Sequence, residues 1–295
     1  MEERIVQLNG HETRVYASGE SGPACLFLHG FPEHGGAWTG LMERMDSFRC
    51  FAPDQRGYGI SYKPPDVKEY AAGKIARDAL ALIELLGLER VHVIGHDWGA
   101  SVAYATVFSR DPRIASLSIA NGVHPVPFQR AIATGGAQCA ASQYMNWLRS
   151  PGSEDVLAAN DFEKLASFFA EGMDMSWMTP DVLKIYQAAW KDVDTLRCMI
   201  NWYRATPLVV GEPGAQLPAE QVPEIPKDVV TVGVPHQLIW GNRDNALLPE
   251  STEGLELFCT SGLTRHVFED ADHWICHQKP DEVAALIRDF VALHD

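Results

Sequence analysis

The chain has 295 residues, 46% of them hydrophobic, enough for a large core with an insertion but short for two ordinary domains. A formal net charge of −15 argues against a nucleic-acid or anionic-membrane partner, since both want a basic face. Six cysteines, Cys25, Cys50, Cys139, Cys198, Cys259 and Cys276, are scattered without a C-x-x-C pair; this disfavours a zinc knuckle or a dense disulfide framework and reads as buried free thiols.

The opening residues Met1-Glu2-Glu3-Arg4 carry no apolar signal region, and no apolar run approaches the ~18 residues of a membrane span. A soluble, cytoplasmic protein is the expectation. Arg4 to Leu8 and Arg14 to Ala17 flank Asn9-Gly10 and predict an antiparallel edge hairpin. Short apolar runs then recur, each followed by a helix-like stretch: Ala24 to Leu28, Arg49 to Ala52, Val91 to Ile94, Ile114 to Ile119, His236 to Trp240 and Arg265 to Phe268. Such alternation predicts an α/β fold, a mostly parallel central sheet flanked by helices. From Val123 to Val229 the pattern turns helical, as in Glu154 to Glu171 and Asp181 to Lys191, the latter preceded by Thr179-Pro180 as cap and first helical residue. The end of this region is broken by Pro207, Pro213, Pro218, Pro223 and Pro226. Residues 1–122 and 230–295 are therefore expected to form the sheet-bearing core, and 123–229 an inserted all-helical cap, or lid, with a Pro-rich return segment. There is no internal repeat.

Gly95-His96-Asp97-Trp98-Gly99, entered from Val91 to Ile94, is a small-x-nucleophile-x-small pattern with a carboxylate at its centre. A serine attacking an alkyl carbon would leave an inert ether. Aspartate attacking the same carbon leaves an ester that water can cleave at the aspartyl carbonyl, so the residue type points to epoxides or alkyl halides. Sheet-hydrolase logic then requires an acid and a histidine later in the chain, each just past a strand. Asp244 follows Gln237 to Trp240, and His273 follows Arg265 to Phe268. Asp270 and Asp272 compete with Asp244 but sit too close to His273 in a tight loop to reach its far ring nitrogen. The loop His29-Gly30-Phe31-Pro32-Glu33 follows the first central strand; backbone N–H groups of Phe31 and Trp98 are the expected oxyanion hole. Asp54 to Ser61 is polar and glycine-rich and reads as loop architecture without a chemical role.

These residues resemble the α/β-hydrolase-fold epoxide hydrolases, related to the haloalkane and fluoroacetate dehalogenases, over nearly the whole chain. His29-Gly30-Phe31-Pro32-Glu33 is similar to that family's oxyanion loop, the Asp97 elbow to its nucleophile, and Asp272-His273-Trp274 to its histidine loop, less the glycine commonly found before that histidine. The resemblance also implies that Tyr144 and Tyr203, in the lid, are epoxide-binding tyrosines. Phenols of pKa about 10 suit that task, because ring opening releases an alkoxide that must be protonated. Trp98, Phe31, Trp147 and Trp202 are candidate substrate-binding residues, although Trp147, Trp177, Trp190 and Trp202 could equally pack the lid.

The expected reaction is epoxide hydrolysis to a vicinal diol through a hydroxyalkyl ester on Asp97, with His273, oriented by Asp244, activating water. A haloalkane dehalogenase is the first alternative, since Trp98 would serve there too, but Phe31 stands where a halide-binding asparagine is usual. Fluoroacetate dehalogenases carry arginines one and four residues past the nucleophile, where this chain has Trp98 and Ser101. A non-catalytic ligand receptor on the same fold is a further alternative. No metal or organic cofactor is expected, for want of ligand spacing or a dinucleotide glycine fingerprint. The expected partners are a small apolar or aryl epoxide and water, with no nucleic acid or membrane; a homodimer is left open.

Overall fold

Asn9 and Gly10 both take positive φ, 52° and 82°, the geometry that closes a two-residue hairpin between β1 (Glu2–Leu8) and β2 (His11–Ser18). A computed structural model describes residues 1–295, and in chain order continues with β3 (Ala24–Leu28), α1 (Thr39–Met42), β4 (Arg49–Pro53), α2 (Ala72–Leu85), β5 (Val91–His96), α3 (Trp98–Phe108) and β6 (Ile114–Ala120). Six helices follow: α4 (Pro125–Ala133), α5 (Ala137–Ala141), α6 (Gln143–Arg149), α7 (Ser153–Ala170), α8 (Pro180–Trp190) and α9 (Val193–Ala205). The chain returns through β7 (His236–Gly241), β8 (Leu263–Phe268), α10 (Ile275–Gln278) and α11 (Pro280–His294).

The eight strands form one sheet in the order β1-β2-β4-β3-β5-β6-β7-β8, parallel from β4 to β8, with β1 and β2 antiparallel at one edge. Every residue of β3, β5, β6 and β7 is buried, which is why these strands read as apolar runs rather than alternating ones. Helices α2 and α3 cover one face through side chains such as Leu82 and Val102, while α1 and α11 cover the other through Met42 and Ile287. The chain passes from β3 outward to β4 and then crosses back to β5 on the opposite side of β3. That reversal opens a crevice at the carboxyl ends of β3 and β5, where open α/β sheets bind ligands.

Thr179 caps α8 by accepting the Val182 N–H at 3.3 Å, with Pro180 first in the helix, as the sequence predicts. The stretch expected as one helix over Glu154 to Glu171 is instead broken inside α7, where Asn160, Asp161 and Phe162 take φ of 53°, 55° and 64°. Asn and Asp tolerate this left-handed geometry. Phe162 is held there by long-range packing, its buried ring lying 5.7 Å from that of Trp190. All six cysteines are free thiols, and no helix is long and apolar enough to cross a membrane.

Candidate active site

Where β5 runs into α3, Asp97 adopts φ 52° and ψ −125°, a conformation that L side chains rarely take. The turn needs close backbone approach: a Cβ on Gly99 would overlap the Leu28 carbonyl of β3, and one on Gly30 would overlap the Asp97 carboxylate itself. In return the Phe31 N–H donates to Asp97 Oδ1 at 2.7 Å, and the adjoining Trp98 N–H favours the ionised carboxyl. Burial pushes the Asp97 carboxyl up, and His273, His96 and these two N–H groups offset that rise only in part. The same two donors suit an oxyanion formed at that carbon.

The loops after β7 and β8 bring the second and third groups to this carboxylate. His273 Nδ1–H donates to Asp244 Oδ2 at 2.7 Å, which leaves Nε2 facing Asp97 Oδ2 at 3.6 Å. Asp244 is itself held by Asn121 Nδ2 at 2.8 Å and by the Ala246 and Leu247 N–H groups at 2.9 Å each. Burial alone would lower His273 and raise Asp244. Their mutual attraction, with Asp97 adding to it, reverses both, taking His273 to about 9 and Asp244 below the usual carboxylate range. Asp272 does not reach the imidazole, because its oxygens accept from Trp274 N, Gln278 Nε2 and Asp174 N, and Asp270 pairs with Lys279 at the surface.

From the insertion, α6 and α9 lower Tyr144 and Tyr203 over the carboxylate. Their rings lie 6.0 Å apart, and that of Tyr203 packs 4.9 Å from Trp98 and 5.3 Å from Phe31. Burial raises both phenols, and the Asp97 charge adds to the rise, so each keeps its proton. Arg149 fixes the two helices together, donating from Nε to Tyr203 O and from Nη2 to Leu208 O, each at 2.9 Å. Trp202 Nε1–H donates to the Arg56 carbonyl at 2.9 Å, so the Asp54 to Ser61 loop does anchor the lid.

A cavity of about 800 Å³ reaches Asp97 and is lined there by Trp98, Tyr144, Met145, Trp202 and Leu247. Phe31 and Tyr203 are not part of that lining but lie at its Asp97 end, where the Phe31 N–H bonds the carboxylate and the Tyr203 ring packs on Trp98. Trp147, expected among the substrate-binding residues, is 40% exposed and stacks on Phe168 at 5.5 Å, away from the cavity. Trp177 and Trp190 are likewise outside the lining; Trp190 packs the lid against the core.

Sequence reasoning missed a second buried cluster. Glu33 accepts from Tyr186 OH at 3.0 Å and His277 Nε2 at 2.7 Å, and its other oxygen lies 3.0 Å from His96 Nδ1. The far nitrogen of His96 donates to the His273 carbonyl at 2.8 Å, so the oxyanion loop, the elbow and the histidine loop share one network. Burial alone would raise Glu33, but the bonds from His277 and His96 hold it well below the usual carboxylate range. Glu33 and His96 sit inside the two motifs named above. Asn121 follows β6 in an Asn-Gly pair, the only hint of it in the sequence.

Comparison with known proteins bears on the fold and the family. A family model described as alpha/beta hydrolase fold matches residues 23–280. The AB hydrolase superfamily protein YfhM of Bacillus subtilis (strain 168) is 32% identical over 292 residues, covering 98% of this chain and 97% of that protein. Mouse epoxide hydrolase 4 is 28% identical over 291 residues, 96% of this chain and 77% of that one. Among solved structures, an epoxide hydrolase of the alpha/beta hydrolases superfamily from metagenomes of hot environments superimposes with a TM-score of 0.88 at 33% identity, covering 98% of both chains. The Bacillus megaterium epoxide hydrolase in complex with an inhibitor does so with a TM-score of 0.87 at 27% identity, over 98% of this chain and 100% of that one. The chain belongs to the α/β-hydrolase fold family and is similar over almost its whole length to epoxide hydrolases.

Proposed function

We propose that this protein hydrolyses an epoxide to a vicinal diol by way of an ester on Asp97. The observation that carries this reading is a carboxylate at a strained elbow, 3.6 Å from an imidazole nitrogen and roofed by two protonated phenols. Tyr144 and Tyr203 hydrogen-bond the ring oxygen while Asp97 attacks one ring carbon; the C–O bond breaks, and the alkoxide takes a phenolic proton. A hydroxyalkyl ester then replaces the carboxylate.

That ester changes the base beside it. In the free enzyme the charges on Asp244 and Asp97 keep His273 protonated at neutral pH, with burial opposing them, and its charge in turn supports an ionised Asp97. Esterification removes one of those negative charges. His273 then releases its proton more readily, which by way of solvent restores the phenol, and as a neutral imidazole it deprotonates a water that adds to the Asp97 carbonyl. The N–H groups of Phe31 and Trp98 stabilise the resulting oxyanion; its collapse expels the diol oxygen as an alkoxide that takes the proton of the new Asp97 carboxyl, leaving one solvent oxygen on an ionised Asp97 beside a protonated His273.

His273→Gln tests the sequence of events. With styrene oxide, intact-protein mass spectrometry is expected to show the enzyme gaining the mass of one substrate while steady turnover falls at least 1,000-fold, in the range for loss of a triad member. Unmodified protein that still turns over would refute the ester.

A further inference from the structure

Helix α3 is buried on every side but one. Between Gly99 and Phe108 all residues are buried except Ser101, Ala105 and Phe108. These follow Asp97 at steps of four, four and three residues, which places them on a single stripe of the helix. All three, with Asp97, line the 800 Å³ cavity. At 1.5 Å per residue the stripe leads about 16 Å away from the carboxylate. The cavity is therefore elongated, with α3 as its floor.

The chemistry of that floor and its walls is mostly apolar, although Arg130, Thr206 and Glu224 also line the cavity. Val123, Val126, Phe128, Ile225 and Val230 line the cavity along with the stripe. Gln129 is also in the lining, but both ends of its amide are taken by the Val209 peptide, Oε1 accepting at 2.8 Å and Nε2 donating at 2.9 Å. The small side chains of Ser101 and Ala105 leave the passage open where a larger residue would close it.

We propose that the substrate is an epoxide carrying a linear apolar tail of about a dozen carbon atoms, laid along the Ser101, Ala105 and Phe108 stripe with its ring at Asp97. An extended chain advances roughly 1.2 Å per bond, so about 16 Å of floor takes about a dozen such bonds. The proposal rests on the epoxide-hydrolysing reading of the site but is tested separately from it, by binding.

The probes are linear 1,2-alkanediols of four to sixteen carbons, titrated against the whole protein, with the matching 1,2-epoxyalkanes as substrates. Kd is expected to fall about threefold per added methylene and level off near twelve carbons, and kcat/KM for the epoxides to climb in parallel. Ala105→Trp, which fills the passage, is expected to cut the preference for 1,2-dodecanediol over 1,2-butanediol at least tenfold; Ala105→Leu does so more gently if tryptophan is not accommodated. A Kd indifferent to length, in a protein that hydrolyses 1,2-epoxybutane, overturns the tail channel and leaves the chemistry standing. Length-dependent diol binding with no epoxide turned over does the reverse.

Discussion

Two stretches of the insertion meet the rest of the molecule in opposite ways. Between Glu171 and Trp190 the chain is tied to the loops that carry the site. Glu171 O accepts from Asn245 Nδ2 at 2.9 Å, Asp174 N–H donates to Asp272 Oδ2 at 2.7 Å, Tyr186 OH to Glu33 at 3.0 Å and Trp190 Nε1–H to Pro32 O at 2.7 Å. Between Pro218 and Pro226 the peptide groups bond only near neighbours, Gln221 N to Pro218 O and Val222 N to Ala219 O. Yet Val222 to Pro226 line the cavity. The first stretch is bonded to the loops around Asp97 and His273, and the second lines the cavity; on the proposed reading the one holds the reacting groups and the other bounds the substrate. Damage to the first should appear in stability and kcat together. Damage to the second should appear in KM.

The hardest test of that division is Glu33→Gln. The amide leaves Tyr186, His277 and His96 competing for one acceptor and places an N–H against a donor. We expect a loss of about 3 kcal/mol in urea unfolding, of the order found when one partner of a buried charged network is removed, and at least a 100-fold fall in kcat with little change in KM. Unchanged stability would detach the anchored stretch from the site.

Acidity should sharpen the contrast, because the titrating groups lie on the anchored side. His273 stands raised to about 9, so its contribution to stability is fully present below its ordinary 6.5 and lost as pH rises through about 9. His29, in the oxyanion loop, and His34, just after it, are lowered by burial to about 4 and about 3, so theirs is present above 6.5 and lost as pH falls through those values. A Tm profile is expected to peak near neutrality and decline on both sides. Asp244→Asn should flatten the alkaline limb between 6.5 and 9, since it removes the main group that raises His273. An unaltered alkaline limb would mean that His273 is not the group responsible.

A smaller effect is expected for Trp190→Phe, which keeps most of the ring but deletes the bond to the Pro32 carbonyl. It should cost about 1 to 2 kcal/mol in the same unfolding measurement. The change should lower kcat severalfold, because Pro32 adjoins the Phe31 N–H that contacts Asp97.

What could be read from the chain before its fold follows the same division. Central strands such as Val91 to His96 are buried on both faces and so appear as apolar runs, and Asp97 and Asp244 each follow such a run, which separates them from the other acids; His273 follows β8, a partly exposed edge strand, and is singled out instead by its place after that strand and by the Asp272-His273-Trp274 motif. The Glu33 network leaves no such trace. Glu33 and His277 are 244 positions apart, and nothing in either neighbourhood names the other. Trp147 misled for a related reason: it shares α6 with Tyr144, but which side of so short a helix faces the cavity is decided by Phe168, from a different helix. The break in α7 likewise depends on Trp190, 28 residues beyond Phe162, so local periodicity carries straight through it.

The smallest expected effect on stability belongs to the return segment, and it is the one most diagnostic of the division. Pro223→Ala removes a half-buried ring from the cavity lining without touching a hydrogen bond to the core. Replacing proline acts mainly by loosening the unfolded chain, so unfolding free energy should change by no more than about 1 kcal/mol. KM for a long-tailed epoxide should nonetheless rise severalfold, with kcat unaltered, because part of the apolar wall is gone while Asp97, His273 and both phenols stay where they were. A fall in kcat instead would mean that this segment also sets the position of the reacting groups, and the contrast between the two stretches would collapse.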